Sequence, residues 1–281
     1  MITKNSMQLK ALIKKKAAEK NIRAQLVMQT YMLERLLKRI SISRYKHNFI
    51  LKGGFLISAI VGLHSRATKD LDATLKGLEL THSVIRAVFD NVCTLDIDDN
   101  LRYELVGVDD IRETDSYPGV RAKFNAIYET LHVPLFIDIT TGDKINPKAI
   151  RFEIPSMFDE GNIEVFAYNF ETLLAEKIET VLSRGIANTR PRDFYDIFIL
   201  VRLHKADLDF DILKRAVIAT AEKRNTLPVF SSYEEIIETV SKNQRMINFW
   251  ERYKVEFDYA KNIDFDDICK TIIELLKTLG V

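Results

Sequence analysis

Two cysteines, Cys93 and Cys269, are all the thiol chemistry the sequence carries. They lie far apart and fit neither a zinc-ligand spacing nor a disulfide framework, so a reducing cytoplasm is the expected location. Long apolar runs are also missing. No stretch approaches the ~20 consecutive apolar residues needed to span a bilayer, so no membrane partner is expected. The opening segment MITKNSMQLKALIKKKAAEK has lysines but no apolar core behind them, which argues against a secretory signal. There is no internal repeat and no low-complexity segment, so repeat arrays are set aside. Net charge is small too, at +1, so overall charge selects no class of partner.

What is present is an ordinary balance for a globular protein, 47 % hydrophobic and 29 % charged over 281 residues, enough for one large domain or two modest ones. Charge is unevenly placed. Residues 1–46 carry twelve lysines and arginines against only Glu19 and Glu34, a net +10, and Asp90 to Asp115 leans acidic. Such a segment suits a polyanion such as RNA, or forms a solvated helix face.

Apolar spacing predicts a helix over 22–40, a short buried strand at Asn48–Leu51, a helix over Phe55–Leu63 and a strand at Asp70–Leu75. A helix at Thr81–Val92 follows, then strands at Arg102–Val108, Val120–Tyr128 and Val133–Thr140, and two shorter ones at Arg151–Ile154 and Ile163–Ala167. After Asn169 only helical periodicity remains: Phe170–Arg184, Arg192–Leu203, Asp209–Glu222, Tyr233–Asn243, Ile247–Tyr259 and Asp264–Leu279. The expectation is an α/β (α+β) protein with a core at 1–168, containing a mixed sheet and basic N-terminal helices, followed by a helical lobe at 169–281.

Chemistry concentrates in residues 51–75, LKGGFLISAIVGLHSRATKDLDATL. Gly53 and Gly54 allow a tight turn and let a phosphate approach backbone amides at a helix start, where N–H groups lack partners and the dipole favours an anion. Asp70-Leu71-Asp72, read as strand, places two carboxylates on one face. Like charges so placed need a cation, and magnesium takes hard oxygens from one or two carboxylates plus substrate phosphates. Asp96-Ile97-Asp98 has the same spacing but no glycine turn before it, and reads as surface. Asp138 is the one acid in the apolar run Val133–Thr140; on a strand beside Asp70 and Asp72 it would complete a carboxylate triad. Lys177 lies within the apolar stripe Phe170, Leu174, Ile178 and Val181, and either snorkels outward or points at an anion. Asp193 falls in a helical first turn after Pro191, where a carboxylate also suits the dipole. Arg66, four residues before Asp70, is the best phosphate-binding guanidinium, ahead of Arg184, Arg190 and Arg192.

Lys52-Gly53-Gly54, then Arg66-x-Thr68-x-Asp70-Leu71-Asp72, then Leu173-x-x-Glu176-Lys177-Ile178, then Arg192-Asp193-Phe194-Tyr195-Asp196-Ile197, together resemble the AbiEii/AbiGii-type nucleotidyltransferase toxins of the DNA polymerase β-like superfamily. The resemblance runs over roughly residues 47 to 203. The superfamily's first motif usually reads Gly-Ser with a shorter gap, whereas here fifteen residues separate Gly54 from Asp70.

The resemblance implies a polymerase β-like nucleotidyltransferase core and transfer of a nucleoside monophosphate from an NTP to a hydroxyl. Asp70, Asp72 and Asp138 would hold Mg2+, with Asp138 activating the hydroxyl. Gly53, Gly54, Arg66 and Lys177 would bind nucleotide, and Lys177 and Asp193 would take part in catalysis, with Asp196 the lesser candidate. It further implies a bacterial toxin of a toxin–antitoxin, abortive-infection (phage-defence) pair, with RNA such as a tRNA 3′ end as acceptor. The antitoxin, encoded nearby, need not bind directly. The alternative is a non-catalytic nucleotide- or RNA-binding protein of the same fold.

Overall fold

The computed structural model describes residues 5–111 and 119–281. Lys4 of the basic segment and Asp115 of the acidic stretch lie outside them. The chain divides into two compact units, Met1–Asp143 with Ile150–Ala167, and Lys144–Ala149 with Tyr168–Val281. Among the described residues no helix is long and apolar enough to cross a membrane.

The first unit begins with α1 (Ser6–Lys20) and α2 (Ala24–Ile42), followed by β1 (Phe49–Lys52), α3 (Gly53–Val61), β2 (Leu71–Leu75) and α4 (His82–Cys93). Then come β3 (Arg102–Ile111), β4 (Gly119–Tyr128), β5 (Leu131–Thr141), β6 (Ile150–Pro155) and β7 (Asn162–Ala167). The strands form one mixed seven-stranded sheet in the order β3-β4-β5-β2-β1-β7-β6. β2 runs parallel to β5 and β1 parallel to β7, and the remaining neighbours are antiparallel. One face is apolar because alternate residues, among them Phe124, Leu135, Ile137 and Ile139, are fully buried. α4 covers it, with Phe89 edge-on to Phe124 at 4.8 Å, and α2 joins it through the Met32 carbonyl, which accepts the Tyr103 hydroxyl at 2.7 Å.

Two cations of the basic segment are internal. Arg39 donates to both oxygens of Asp99, at 2.9 and 2.7 Å, and to the Leu95 and Leu101 carbonyls, while Arg35 donates to Asp99 at 2.9 Å. Burial pushes the Asp99 carboxyl up, but the bonds and charge of Arg39, with the Arg35 bond, hold it below the usual carboxylate range. Arg35 and Arg39 therefore organise the loop after α4 and are not part of an exposed polyanion surface. Asp96 and Asp98 in that loop are exposed.

Glu34, also on α2, is buried. Its Oε2 accepts the Met157 N–H at 2.9 Å, and its Oε1 meets no partner among the described residues. Burial raises its carboxyl from 4.5 to about 7, with the Met157 bond and the charges of Arg35 and Lys16 opposing. The native state thus holds this proton more tightly than the unfolded chain. Its stabilising contribution is full below pH 4.5 and is lost as pH rises through about 7. Glu34→Gln should abolish that loss. Between about pH 5 and pH 8 the wild-type melting temperature should fall relative to the variant, by the equivalent of at most about 3 kcal/mol. Parallel pH profiles would show that Glu34 does not titrate in this window.

The second unit is helical: α5 (Phe170–Arg184), α6 (Pro191–His204), α7 (Phe210–Lys223), α8 (Tyr233–Ser241), α9 (Gln244–Glu256) and α10 (Phe265–Leu279). Asn169 caps α5, its Oδ1 accepting the Thr172 N–H at 2.8 Å and its Nδ2 donating to the Asn146 carbonyl at 2.6 Å. That bond, with the Thr172 hydroxyl on the same carbonyl, attaches Lys144–Ala149 to this unit. Tyr195, Trp250, Tyr253 and Phe265 build an aromatic core, and the Trp250 indole N–H is satisfied by the Ile263 carbonyl at 3.1 Å.

Candidate active site

The sheet face opposite the apolar one carries a row of charged groups. Its register sets Lys52 beside Asp72 across β1 and β2, Asp72 beside Asp138 across β2 and β5, and Asp138 beside Arg121 across β5 and β4. Paired residues share a face, so these four side chains form a row across four adjacent strands. Asp70 does not share the strand geometry expected for it. The β2 ladder begins at Leu71, paired with Ile137, and Asp70 sits immediately before it.

Arg121 holds Asp138 in a two-pronged ion pair, Nε to Oδ1 at 2.6 Å and Nη2 to Oδ2 at 2.7 Å. The Asp138 bonds and charge raise the guanidinium further above its ordinary value, with Asp70 and Asp72 adding to the effect. All three carboxylates therefore act on one place, and a cation is already there. Among the described residues no group of three or more His, Cys, Asp or Glu side chains is arranged to hold a metal ion, and Asp138 is turned to Arg121. The donor set itself, carboxylate oxygens converging on a cation, suits a hard divalent metal.

The glycine pair does not precede α3; it forms the helix's first turn. Gly53 has φ +65°, and a Cβ there would lie 2.1 Å from Asp72 Oδ2. Any side chain at 53 would therefore push Asp72 aside. The Gly54 N–H points at the same oxygen over a long 3.4 Å, so Asp72 loosely occupies the α3 N-terminus. A Cβ on Gly54 would come within 3.1 Å of Arg66 Nη2 and 3.0 Å of Thr68 Oγ1. Buried Arg66, which donates to the Ala67 carbonyl, is thus stacked against the bare backbone of the helix start. The Thr68 hydroxyl donates to the Asp70 carbonyl at 3.3 Å, and the Thr30 hydroxyl on α2 holds the Thr68 carbonyl at 3.3 Å. These bonds fix the loop that delivers Asp70.

In the second unit, Lys177 neither snorkels nor points at an open space. Its Nζ lies 2.7 Å from Asp193 Oδ1 and 2.9 Å from Asp196 Oδ2. The spacing of three residues puts both carboxylates on one side of α6. Asp196, which sequence reasoning ranked below Asp193, is fully buried and holds the lysine as directly. Asp193 Oδ2 is buried and has no hydrogen-bond partner among the described residues, which leaves one acceptor beside the lysine for another donor. Arg184, Arg190 and Arg192 are exposed.

Two solved structures from Helicobacter pylori share this fold. JHP933 superposes with a TM-score of 0.54 at 11 % identity over 92 % of this chain and 93 % of its own. A candidate nucleotidyltransferase gives 0.55 at 13 % identity over 92 % and 96 %. No curated protein matches the chain in sequence. The family model described as nucleotidyl transferase AbiEii toxin, type IV toxin–antitoxin system, matches residues 35–271. The chain belongs to the AbiEii nucleotidyltransferase toxin family.

Sequence reasoning gave Arg121 no role and named Lys52 only as part of the Lys52-Gly53-Gly54 motif. Lys52 is buried and donates to Thr140 Oγ1 at 2.7 Å and Asp143 Oδ2 at 2.5 Å, and the Thr74 and Thr140 hydroxyls donate to the same Asp143 oxygen at 2.6 and 2.8 Å. The signal available was its place at the end of the apolar run Phe49–Leu51, where an exposed side chain is costly to arrange. Arg121 gave no comparable signal, since a charged residue on an alternating strand reads as solvent-facing.

Proposed function

We propose that this enzyme transfers a nucleoside monophosphate from an NTP to a hydroxyl of an RNA acceptor, such as a tRNA 3′ end, in the bacterial cytoplasm. It would act as the toxin of a type IV pair that serves in phage defence, opposed by an antitoxin. The observation that carries the reading is the row Asp72, Asp138, Arg121 beside a helix start lined by Gly53, Gly54 and Arg66. The Gly54 backbone and the Arg66 guanidinium offer an anion site for phosphate oxygens, and Asp138 Oδ accepts the proton of the attacking hydroxyl. Asp70, Asp72 and Asp138 would hold a magnesium ion, which would polarise the phosphate as a Lewis acid. Lys177, held by Asp193 and Asp196, is proposed for nucleotide binding on the family resemblance. Positioning and charge would then provide most of the rate, as phosphoryl transfer needs little covalent help.

Arg121 must leave Asp138 for that carboxylate to act, and the triphosphate is the natural new partner for its fork. Arg121→Gln removes a positive charge beside three carboxylates. Mn2+ affinity, read by electron paramagnetic resonance without nucleotide, should rise at least ~10-fold. An unchanged affinity would remove the carboxylate row as a cation site.

The reaction itself is tested by incubating the protein with each α-labelled NTP and total RNA. Label should enter RNA at its 3′ end with one NTP preferred. Absence of label in RNA with all four NTPs would reject the acceptor.

A further inference from the structure

The first unit has a groove of about 260 Å³ between α1, the start of α2 and the beginning of β5. Its lining is mostly apolar, with Ile13, Met28, Val133 and Pro134, and includes the exposed Lys10 and Lys14. Among the described residues neither lysine forms an ion pair. His132 lines the same groove, its ring held by the Asn125 amide at 3.0 Å.

The groove sits where the sheet is open. β2 pairs with β5 only from Ile137 onward, so residues 131–136 of β5 have no strand on that side among the described residues. Pro134 lacks an N–H and breaks the donor row of this edge, which disfavours an added peptide strand as occupant. The groove and the carboxylate row share strand β5. Pro134 and Asp138 share one face of β5 and lie four residues apart, about 13 Å at the strand rise.

Exposed cations, an apolar lining and an imidazole able to stack match a nucleobase with phosphates on either side. We infer that this groove binds the single-stranded 3′ segment of the RNA acceptor. A base would lie on Met28 and Pro134 against His132, phosphates would meet Lys10 and Lys14, and the terminal hydroxyl would reach Asp138. This rests on the proposed RNA acceptor and adds where its end is held.

The test is fluorescence anisotropy with a labelled RNA hairpin bearing a single-stranded 3′ overhang, and with the same hairpin blunt-ended, using full-length protein without NTP. The overhang RNA should bind wild type more tightly than the blunt one. Lys10→Gln with Lys14→Gln should lower the slope of log affinity against log salt by about 1.4, at ~0.7 per lost phosphate contact. Lys10→Arg with Lys14→Arg should keep it. Met28→Glu should weaken the overhang RNA ~10-fold and leave the blunt hairpin unchanged, with circular dichroism melts confirming that each variant folds. Unchanged slopes and affinities would overturn the groove assignment and leave the lysines as a solvated helix face, while transfer to RNA could still stand. Groove-dependent binding without any transfer would keep the groove and sink the reaction. No RNA binding by wild type would remove both.

Discussion

Asp72→Asn should abolish nucleotide transfer, by ~10³-fold or more, while the protein melts within a few degrees of wild type. The two effects separate because of how Asp72 is held. Among the described residues its side chain meets one backbone donor, the Gly54 N–H at a long 3.4 Å, and asparagine keeps the shape and one acceptor oxygen for it. What asparagine loses is charge, at the centre of a row where Asp138 already has Arg121 as partner. Asp138→Asn is the companion variant. It should also stop transfer, and the freed Arg121, which is 38 % exposed, turns to solvent at little cost. Rates with labelled NTP and thermal melts measure both properties. Activity surviving in both variants would place the chemistry elsewhere.

Lys177→Met should destabilise the protein by about 3–5 kcal/mol, roughly 10 °C in melting temperature, and cost at least ~10²-fold in transfer. The stability loss follows from the geometry in the second unit. Asp193 and Asp196 are 5 % and 0 % exposed, and removing the ammonium leaves two buried carboxylates facing each other. The same residue in an apolar stripe would lose nothing as methionine if it merely snorkelled. Stability and activity can be pulled apart. Lys177→Met combined with Asp193→Asn and Asp196→Asn should recover most of the melting temperature and none of the activity. A triple variant that recovers both would make the cluster structural. A single variant as stable as wild type would contradict the buried ion pair.

Local patterns were readable where one face of an element is buried. The span of α5, Phe170–Arg184, follows from its stripe of Phe170, Leu174, Ile178 and Val181 closing at Arg184 before Gly185. The β1 and β2 strands and the turn between β1 and α3 follow from a short apolar run and two glycines, although α3 begins on the glycines instead of after them. What alternation could not supply is register. Asp70 was read as strand because Asp-Leu-Asp alternates, but the ladder that defines β2 starts one residue later, where Ile137 offers a partner. Arg121 and Asp138 are seventeen residues apart and meet only because β4 and β5 pair as a hairpin from Tyr128 and Leu131. Arg39 and Asp99 are sixty apart, so two cations counted toward a basic surface turned out to be buried. Lys177 was marked as anomalous by its stripe, but its anions proved to be the protein's own, on α6. In each case the residue type was visible, and the partner was set by tertiary pairing across a distance that periodicity does not reach.

The proposed transfer breaks the bond between the α- and β-phosphates of the NTP. Paired reactions with the preferred NTP, one labelled at the α-phosphate and one at the γ-phosphate, address it directly with RNA as acceptor. The account predicts α-label in RNA, sensitive to blocking the 3′ hydroxyl, and all γ-label in released pyrophosphate. γ-label in RNA or in the protein, with α-label left in a free nucleoside diphosphate, would contradict it and make the enzyme a kinase.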